Sequence, residues 1–447
     1  MRIVEYRTSH APLLARLWNA SDAGWPPGLV RFRPKTAGEW RDWEARTRSI
    51  GRFVAFEGRR AVGFVRLLEW VESPDATYVQ WLNVEPAYHG RGIGKQLLRK
   101  AMERTIALGF PRVDLHTWPG NDKAVPLYKR MGYMWVPLSH AYLQNYVPLL
   151  LSYEPAKSFF AAHDWYETFE RDLSRDFDED KVRGTDAFVY RFHAGRRRIE
   201  IAIDREARGV MAFEGDDVRA EAWIPDGKLI EGLTGTIHWS VRNKTRSDVS
   251  VSIRADGAGG VQVETPTPFV VGPRSARELT ARVTIRDSFP DTPESWASPT
   301  IESTIQVAGR TIPLKSGFLP KAALKVSWEE DAPRMAAPGR QDVRVVLRNQ
   351  ATRPLRGDLL IEGEDLQVEP ARLRITLGKG GTRTIRLRIR NKREEGRAAH
   401  VRVRFTSPDL HTVNTLVLPC IGPAGCVAYA NEDDWVLDPF AGVGSAI

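Results

Sequence analysis

Between Asn83 and Leu98 the chain reads NVEPAYHGRGIGKQLL, which sets Gly90, Gly92 and Gly94 at the junction between an apolar strand and a helix. Pro86 ends the strand pattern of ATYVQWLNV, and beyond Lys95 the residues Leu97, Leu98, Ala101, Met102 and Ile106 recur at helical spacing. A strand that passes through a glycine loop straight into an amphipathic helix points to a local α/β arrangement. It also gathers unpaired backbone N–H groups and the positive end of a helix dipole at one point, which suits an anion such as a pyrophosphate. Glycine at these positions lets the backbone approach phosphate with no side chain in the way, and Arg91 or Lys95 neutralises part of the charge. A glycine turn before a helix is also an ordinary structural connection, so the loop must be read in its context.

That context is an alternation of strands and helices over residues 1–150. RIVEYR reads as a strand, APLLARLWNA and AGEWRDWEART carry helical spacing, and RFVAFEGRRAVGFVRLLEW reads as a hairpin turning at Glu57 to Arg60. RVDLHTW, a short helix after Asn121 and YMWVPLSHAYLQNYV complete a mixed α/β unit. Within it, His89-Gly90-Arg91-Gly92-Ile93-Gly94 follows a pattern Arg/Gln-x-x-Gly-x-Gly/Ala, and NDKAVPLYKRMGY supplies Asn121, Ala124, Leu127, Tyr128, Gly132 and Tyr133 of a second one. On these two motifs, in this order, the segment resembles the GNAT superfamily of acetyl-CoA-dependent N-acetyltransferases.

The resemblance implies that the backbone from His89 to Lys95, Ile93 included, holds the pyrophosphate of acetyl-CoA as co-substrate. It implies further that the strand around Leu82 and Val84 bonds the pantetheine arm, and that Asn121 bonds that arm or holds the loop after LHTW. Tyr128 would stand beside the sulfur, where a phenol of ordinary pKa about 10 can donate a proton to the departing thiolate. His89 stands where the family usually has arginine or glutamine and gives less charge pairing. Tyr78, Gln80, Leu82 and Val84 are expected to alternate onto one face that carries no carboxylate, so the base is sought nearby. Glu69 and His116 are the preferred candidates, ahead of Glu72 and Asp75. For an acceptor pocket, Trp18, Asp22, Trp25 and the paired prolines either form an aromatic wall or pack the helices, with packing favoured.

The chain has 447 residues, 42% of them hydrophobic and 27% charged, which is globular composition and too long for one core. We expect a small α+β connector over residues 151–225, with a helix ahead of three antiparallel strands FVYRFHA, RIEIAID and RGVMAFEG. Two sandwiches of immunoglobulin-like type are expected at 226–320 and 321–420, and a tail at 421–447. They are legible as a repeat, because Val241-Arg242-Asn243 falls on Leu347-Arg348-Asn349 and Val271-Gly272-Pro273 on Leu377-Gly378-Lys379. In the second sandwich Arg372, Arg374, Arg386, Arg388, Arg390, Arg402 and Arg404 alternate with apolar residues. If their strands are neighbours they share a solvent face able to dock an acidic polymer or protein. Without interleaved aromatic residues that face does not suit single-stranded nucleic acid.

No run of eighteen apolar residues and no charged-then-apolar start appears, so a membrane partner is not expected and a cytoplasmic protein is. Cys420 and Cys426 are too few for a disulfide framework or a thiolate metal site, and no metal is expected. The end, VLDPFAGVGSAI, resembles the S-adenosylmethionine loop of DNA methyltransferases, but without the strands and helix such a site needs it is read as chance or a fragment. The function expected is transfer of acetyl from acetyl-CoA to a small-molecule or peptide primary amine by direct attack, with the sandwiches docking a partner or substrate. The alternative is an acetyl-CoA-binding protein without catalysis, acting through its sandwiches.

Overall fold

The computed structural model describes residues 1–447 except 22–34, 71, 72, 119, 175, 231, 232, 259, 286–297, 330–332, 352, 393–397, 409 and 422–447. Asp22, Trp25, the paired prolines, Glu72, Cys426 and the VLDPFAGVGSAI end therefore lie outside the described residues.

The elements of the first unit are β1 (Arg2–Glu5), α1 (Ala11–Asn19), α2 (Ala37–Arg46), β2 (Ser49–Glu57), β3 (Arg60–Glu69) and β4 (Ala76–Val84). They continue with α3 (Ile93–Ala107), β5 (Arg112–His116), α4 (Ala124–Arg130), β6 (Met134–Trp135) and β7 (Tyr142–Asn145). The strands form one sheet in the order β1-β2-β3-β4-β5-β7-β6, antiparallel except for β4 beside β5. The hairpin between β2 and β3 closes at Glu57 opposite Arg60, as the sequence indicates. On one side of the sheet α3 buries Leu97, Leu98, Ala101 and Met102, while Ile106, expected in that stripe, is 37% exposed. On the other side α1 and α2 close a tryptophan-rich core of Trp18, Trp40 and Trp81.

β4 does not alternate as expected. Arg66 lies opposite Trp81 and Leu67 opposite Val79, so Gln80 is an extra residue in β4. A bulge of one residue re-phases every side chain beyond it. Tyr78 faces Trp70 and His116, but Leu82 and Val84 pack into the α3 side, and Trp81 joins the α1/α2 core. The single face of Tyr78, Gln80, Leu82 and Val84 does not form.

α5 (Val147–Ser152) runs across the boundary expected at 150, and the connector continues with α6 (Lys157–Ala162) and α7 (Trp165–Thr168), then β8 (Phe169–Glu170) and β9 (Lys181–Val182). The three expected strands are β10 (Thr185–Ala194), β11 (Arg197–Asp204) and β12 (Gly209–Glu214); a fourth, β13 (Val218–Trp223), follows them. The boundary expected at 225 does not separate two sheets. β13 pairs with Thr234–Asn243, so the connector strands and three strands of the first sandwich make one nine-stranded sheet. An edge strand left bare is a liability, and this pairing removes the free edge of β13. One apolar core accordingly runs from Leu97 through Phe159, Phe188 and Tyr190 to Trp239 and Phe318, and a second, separate one occupies the last sandwich from Ala323 to Cys420.

The repeat has a physical basis in two buried asparagines. Asn243 Nδ2 donates to the carbonyls of Ser247, Val271 and Gly272, and Asn349 Nδ2 donates to those of Arg353, Leu377 and Gly378. Both are 1% exposed and tie two sheets together at the same place. The arginine set, however, is split. Arg386, Arg388 and Arg390 lie on Thr382–Asn391 in one sheet, whereas Arg372, Arg374, Arg402 and Arg404 lie on strands of the opposite sheet, so the seven do not share a face. Asp342 further neutralises Arg386 and Arg388, at 2.7 and 3.1 Å.

Candidate functional site

β4 and β5 pair only at their starts. Ala76, Thr77 and Tyr78 lie opposite Arg112, Val113 and Asp114, after which no pairing follows, while β4 stays bonded to β3 as far as Val84. The edge of β4 from Val79 to Val84, including Leu82, thus faces a gap, and peptide groups on such an edge can take an extended ligand as an added strand. At the end of the edge His89 turns back on the chain, its Nε2–H donating to the Val84 carbonyl at 2.8 Å. The ring at the family's departure position therefore closes the loop onto the strand.

The loop itself is held from below by buried Glu85, which pairs with Arg60 and, at 3.5 Å, with Arg16. Gly90 has φ 76° and Gly92, immediately ahead of α3, has φ 74°, a region that side chains with a Cβ avoid. No heavy atom lies within 4 Å of a Cβ built at either, so the backbone here is open to a ligand. An anionic group fits this place: positive-φ glycines, the first turn of α3 with buried Ile93, exposed Arg91 and half-buried Lys95 all converge on it. Gly94 answers a different need. A Cβ there would lie 2.9 Å from Leu127 Cδ2, so its bareness seats α4 against α3.

On α4 and the loop before it, Asn121 donates to Thr117 Oγ1 at 2.8 Å and accepts from the Ala124 N–H at 3.1 Å. Of its two implied roles, the geometry supplies that of holding the loop. Tyr128 is 7% exposed and packs edge-on to Tyr133, and among the described residues its hydroxyl has no hydrogen-bond partner. Burial pushes its pKa above the ordinary phenol value, so it is a protonated donor throughout neutral pH.

His116 ends β5, two residues past the last pair with β4. Val113 and Leu115 point into the α3-side core, so Arg112, Asp114 and His116 alternate to the opposite face. There His116 stacks on Tyr142 with ring centroids 4.5 Å apart, and its Nδ1 is 3.3 Å from the Tyr78 hydroxyl. Trp70 stacks on Tyr78 at 4.1 Å. Beneath this aromatic group Asp114, fully buried, bonds Arg112 at 2.8 Å and accepts from the Tyr142 hydroxyl. Burial raises the Asp114 pKa against the opposing pull of Arg112.

The other expected bases fare differently. Asp75 is bound by Ser73, Arg112 and Arg208; burial works against its charge, yet these partners hold its carboxyl below the usual range, which makes it a poor base. Glu69 is exposed opposite Thr77, on the closed side of the divergence, with no ion pair among the described residues. Trp18 is 5% exposed and packs edge-on to Trp40, Trp43 and Trp81, which is the packing reading.

Residues 14–133 match the model of the acetyltransferase (GNAT) family. The N-alpha-acetyltransferase RimI of Mycobacterium tuberculosis is 32% identical over 133 residues, 30% of this chain and 75% of that protein. The chain belongs to the GNAT acetyltransferase family. Mycothiol acetyltransferases of Gordonia bronchialis and Corynebacterium glutamicum are 28% and 27% identical over 130 and 118 residues, covering 28% and 26% of this chain. The chain spans only 38% and 36% of their lengths. Among solved structures, a PaiA N-acetyltransferase of Thermoplasma acidophilum in complex with coenzyme A is 16% identical over 32% of this chain and 98% of that one, with TM-score 0.28.

The GNAT domain is not closed by its own residues. The connector's Tyr190 hydroxyl donates to the Gly132 carbonyl at 3.0 Å and accepts from the Tyr146 N–H at 3.1 Å, and buried Lys129 reaches Asp178 at 3.3 Å. Both contacts fix the end of α4, the helix that carries Tyr128. Sequence reading missed Tyr190, Asp178 and the aromatic partners Trp70 and Tyr142. No motif names such residues, and their contacts lie too far apart in sequence to leave a local signal.

Proposed function

We propose that the protein transfers an acetyl group from acetyl-CoA to a primary amine by direct attack. The observation that carries this reading is the unpaired β4 edge opening between the positive-φ glycine loop and buried, protonated Tyr128. In it, the backbone of Gly90 to Lys95 and Arg91 hold the pyrophosphate, and the β4 edge at Leu82 and Val84 aligns the pantetheine arm. The amine enters from the side of Trp70, Tyr78, His116 and Tyr142, opposite α3. His116, directly or through one water, takes the proton that the ammonium must lose before its nitrogen attacks the thioester carbon. As the C–S bond breaks, Tyr128 gives its proton to the leaving sulfur, and the excess proton of the attacking nitrogen, lost as the amide forms, restores the phenol. Glu69 is the weaker base because it is exposed on the closed side of the strand divergence. An α-amine of a peptide or a small-molecule amine is the substrate class, and the two sandwiches, of immunoglobulin-like type, dock a partner or substrate.

The test is calorimetric titration of acetyl-CoA into the full chain and into Gly92→Glu, followed by thiol release with a panel of amines. Micromolar binding lost in the variant, with thiol release for some amine, supports the reading. Binding without release for any amine leaves a cofactor-binding protein without catalysis, and no binding sinks both.

A further inference from the structure

The helix that follows the glycine loop has a neighbour outside the residues matched to the family. Tyr166 on α7 of the connector reaches α3, its ring centroid 4.6 Å from Lys95 Nζ, with the Arg99 guanidinium at 5.8 Å and that of Arg171 at 4.3 Å. Lys95 and Arg99 are four residues apart and so share one side of α3, Lys95 in the first turn next to Gly92. The placement of Tyr166 is fixed from several directions. Asp164 accepts from the N–H groups of Tyr166 and Glu167 at 2.7 and 3.3 Å and pairs with Arg99 at 3.1 Å, and Trp165 is buried. Arg171 donates to the carbonyls of Tyr166, Phe169 and Arg130, tying α7 to the end of α4.

Charge is left over at this seam. Asp164 is committed to the turn of α7 and to Arg99, Glu167 and Asp164 act on Arg171 without a close ion pair, and among the described residues no carboxylate pairs with Lys95 or Arg130. Arg99 is 36% and Asp164 44% exposed, so their ion pair is cheap to open. An aromatic ring that orders several cations beside an anion-binding turn makes a second anion subsite, because each cation keeps its charge while losing conformational freedom.

We propose that the connector completes the acyl-CoA site: Tyr166 holds Lys95 and Arg99 as a subsite for a second phosphate of the ligand, the 3′-phosphate monoester on its nucleotide end. This rests on the acetyl-CoA reading above and assigns part of cofactor recognition to a segment outside the matched family region. Residues 151–225 then belong to the binding site as well as to the fold.

The experiment is calorimetry on the full chain at low salt with acetyl-CoA and with its 3′-dephospho form, for the parent, Arg99→Gln, Tyr166→Ala and Tyr166→Phe. The parent should bind acetyl-CoA about fivefold or more tighter than the dephospho form. Arg99→Gln and Tyr166→Ala should erase that preference while binding the dephospho ligand as the parent does, and Tyr166→Phe should keep it. Equal binding of the two ligands by the parent, or an undiminished preference in Arg99→Gln, overturns the proposal. If Tyr166→Ala does not fold, Arg99→Gln decides, since its side chain is partly exposed. A parent that binds neither ligand fails the acetyl-CoA reading itself, which is a different result from binding both equally.

Discussion

Gly94 and Leu127 touch: a Cβ on Gly94 would come within 2.9 Å of Leu127 Cδ2. The two motifs of the family, over thirty residues apart, meet at this contact, which sets the helix carrying Tyr128 against the glycine turn ahead of α3. Gly94→Val should therefore cost about 1–3 kcal/mol by overpacking and weaken acetyl-CoA binding. Gly90→Ala, where the space is open, should cost only the left-handed backbone penalty of about 1 kcal/mol. Urea denaturation of both variants checks this, and equal losses would remove the packing argument.

Tyr128→Phe keeps the ring and removes a hydroxyl that bonds nothing among the described residues. Stability should stay within about 0.5 kcal/mol of the parent, while kcat falls about a hundredfold with an unchanged KM for acetyl-CoA. A variant with full kcat would take the proton donor's role from Tyr128.

His116→Gln should lower kcat at neutral pH by about a hundredfold and remove the acidic limb of the pH–rate profile, because the base is gone. Glu69→Gln should leave rate and profile as they are. Should the two results come out reversed, the base lies on the other side of the strand divergence.

Burial raises the pKa of Tyr128, Tyr133 and Tyr190, and pushes that of Tyr146 up to about 12. Their unfolded values are about 10, so above that pH the unfolded chain has released protons that the folded chain still holds, and stability falls as pH rises. Below about pH 9 these groups add no slope, since they are protonated in both states. The tyrosinate absorbance of these four buried tyrosines should therefore rise together with loss of circular dichroism. Full tyrosinate absorbance reached well before unfolding would contradict the burial.

A chain cut after residue 150 should not fold, because it loses Tyr190, Asp178 and Phe188 from the core and from the end of α4. Residues 1–320 keep the first core whole and should fold without the last sandwich. Calorimetry of the full chain should show two transitions, and Asn349→Ala, which strips the carbonyls of Arg353, Leu377 and Gly378 of this donor, should lower only one. A single transition displaced as a whole would mean that the two cores unfold together.

The sequence by itself determined the local chemistry: the glycine loop ahead of α3, the motif with Asn121 and Tyr128, the β2–β3 hairpin and the repeated asparagine of the sandwiches. Each is written in neighbouring residues, through glycine conformation, hydrophobic period or a fixed spacing. Tertiary structure alone decided the rest. The extra residue at Gln80 turns Leu82 away from Tyr78, and a bulge leaves no mark in composition because alternation looks the same on either side of it. The arginines of the last sandwich part onto opposite sheets, since strand order is set by pairing and not by chain order. Tyr190 and Tyr166 reach the GNAT domain from the connector because a nine-stranded sheet and one continuous core carry them there, and contacts so distant in sequence have no local signal.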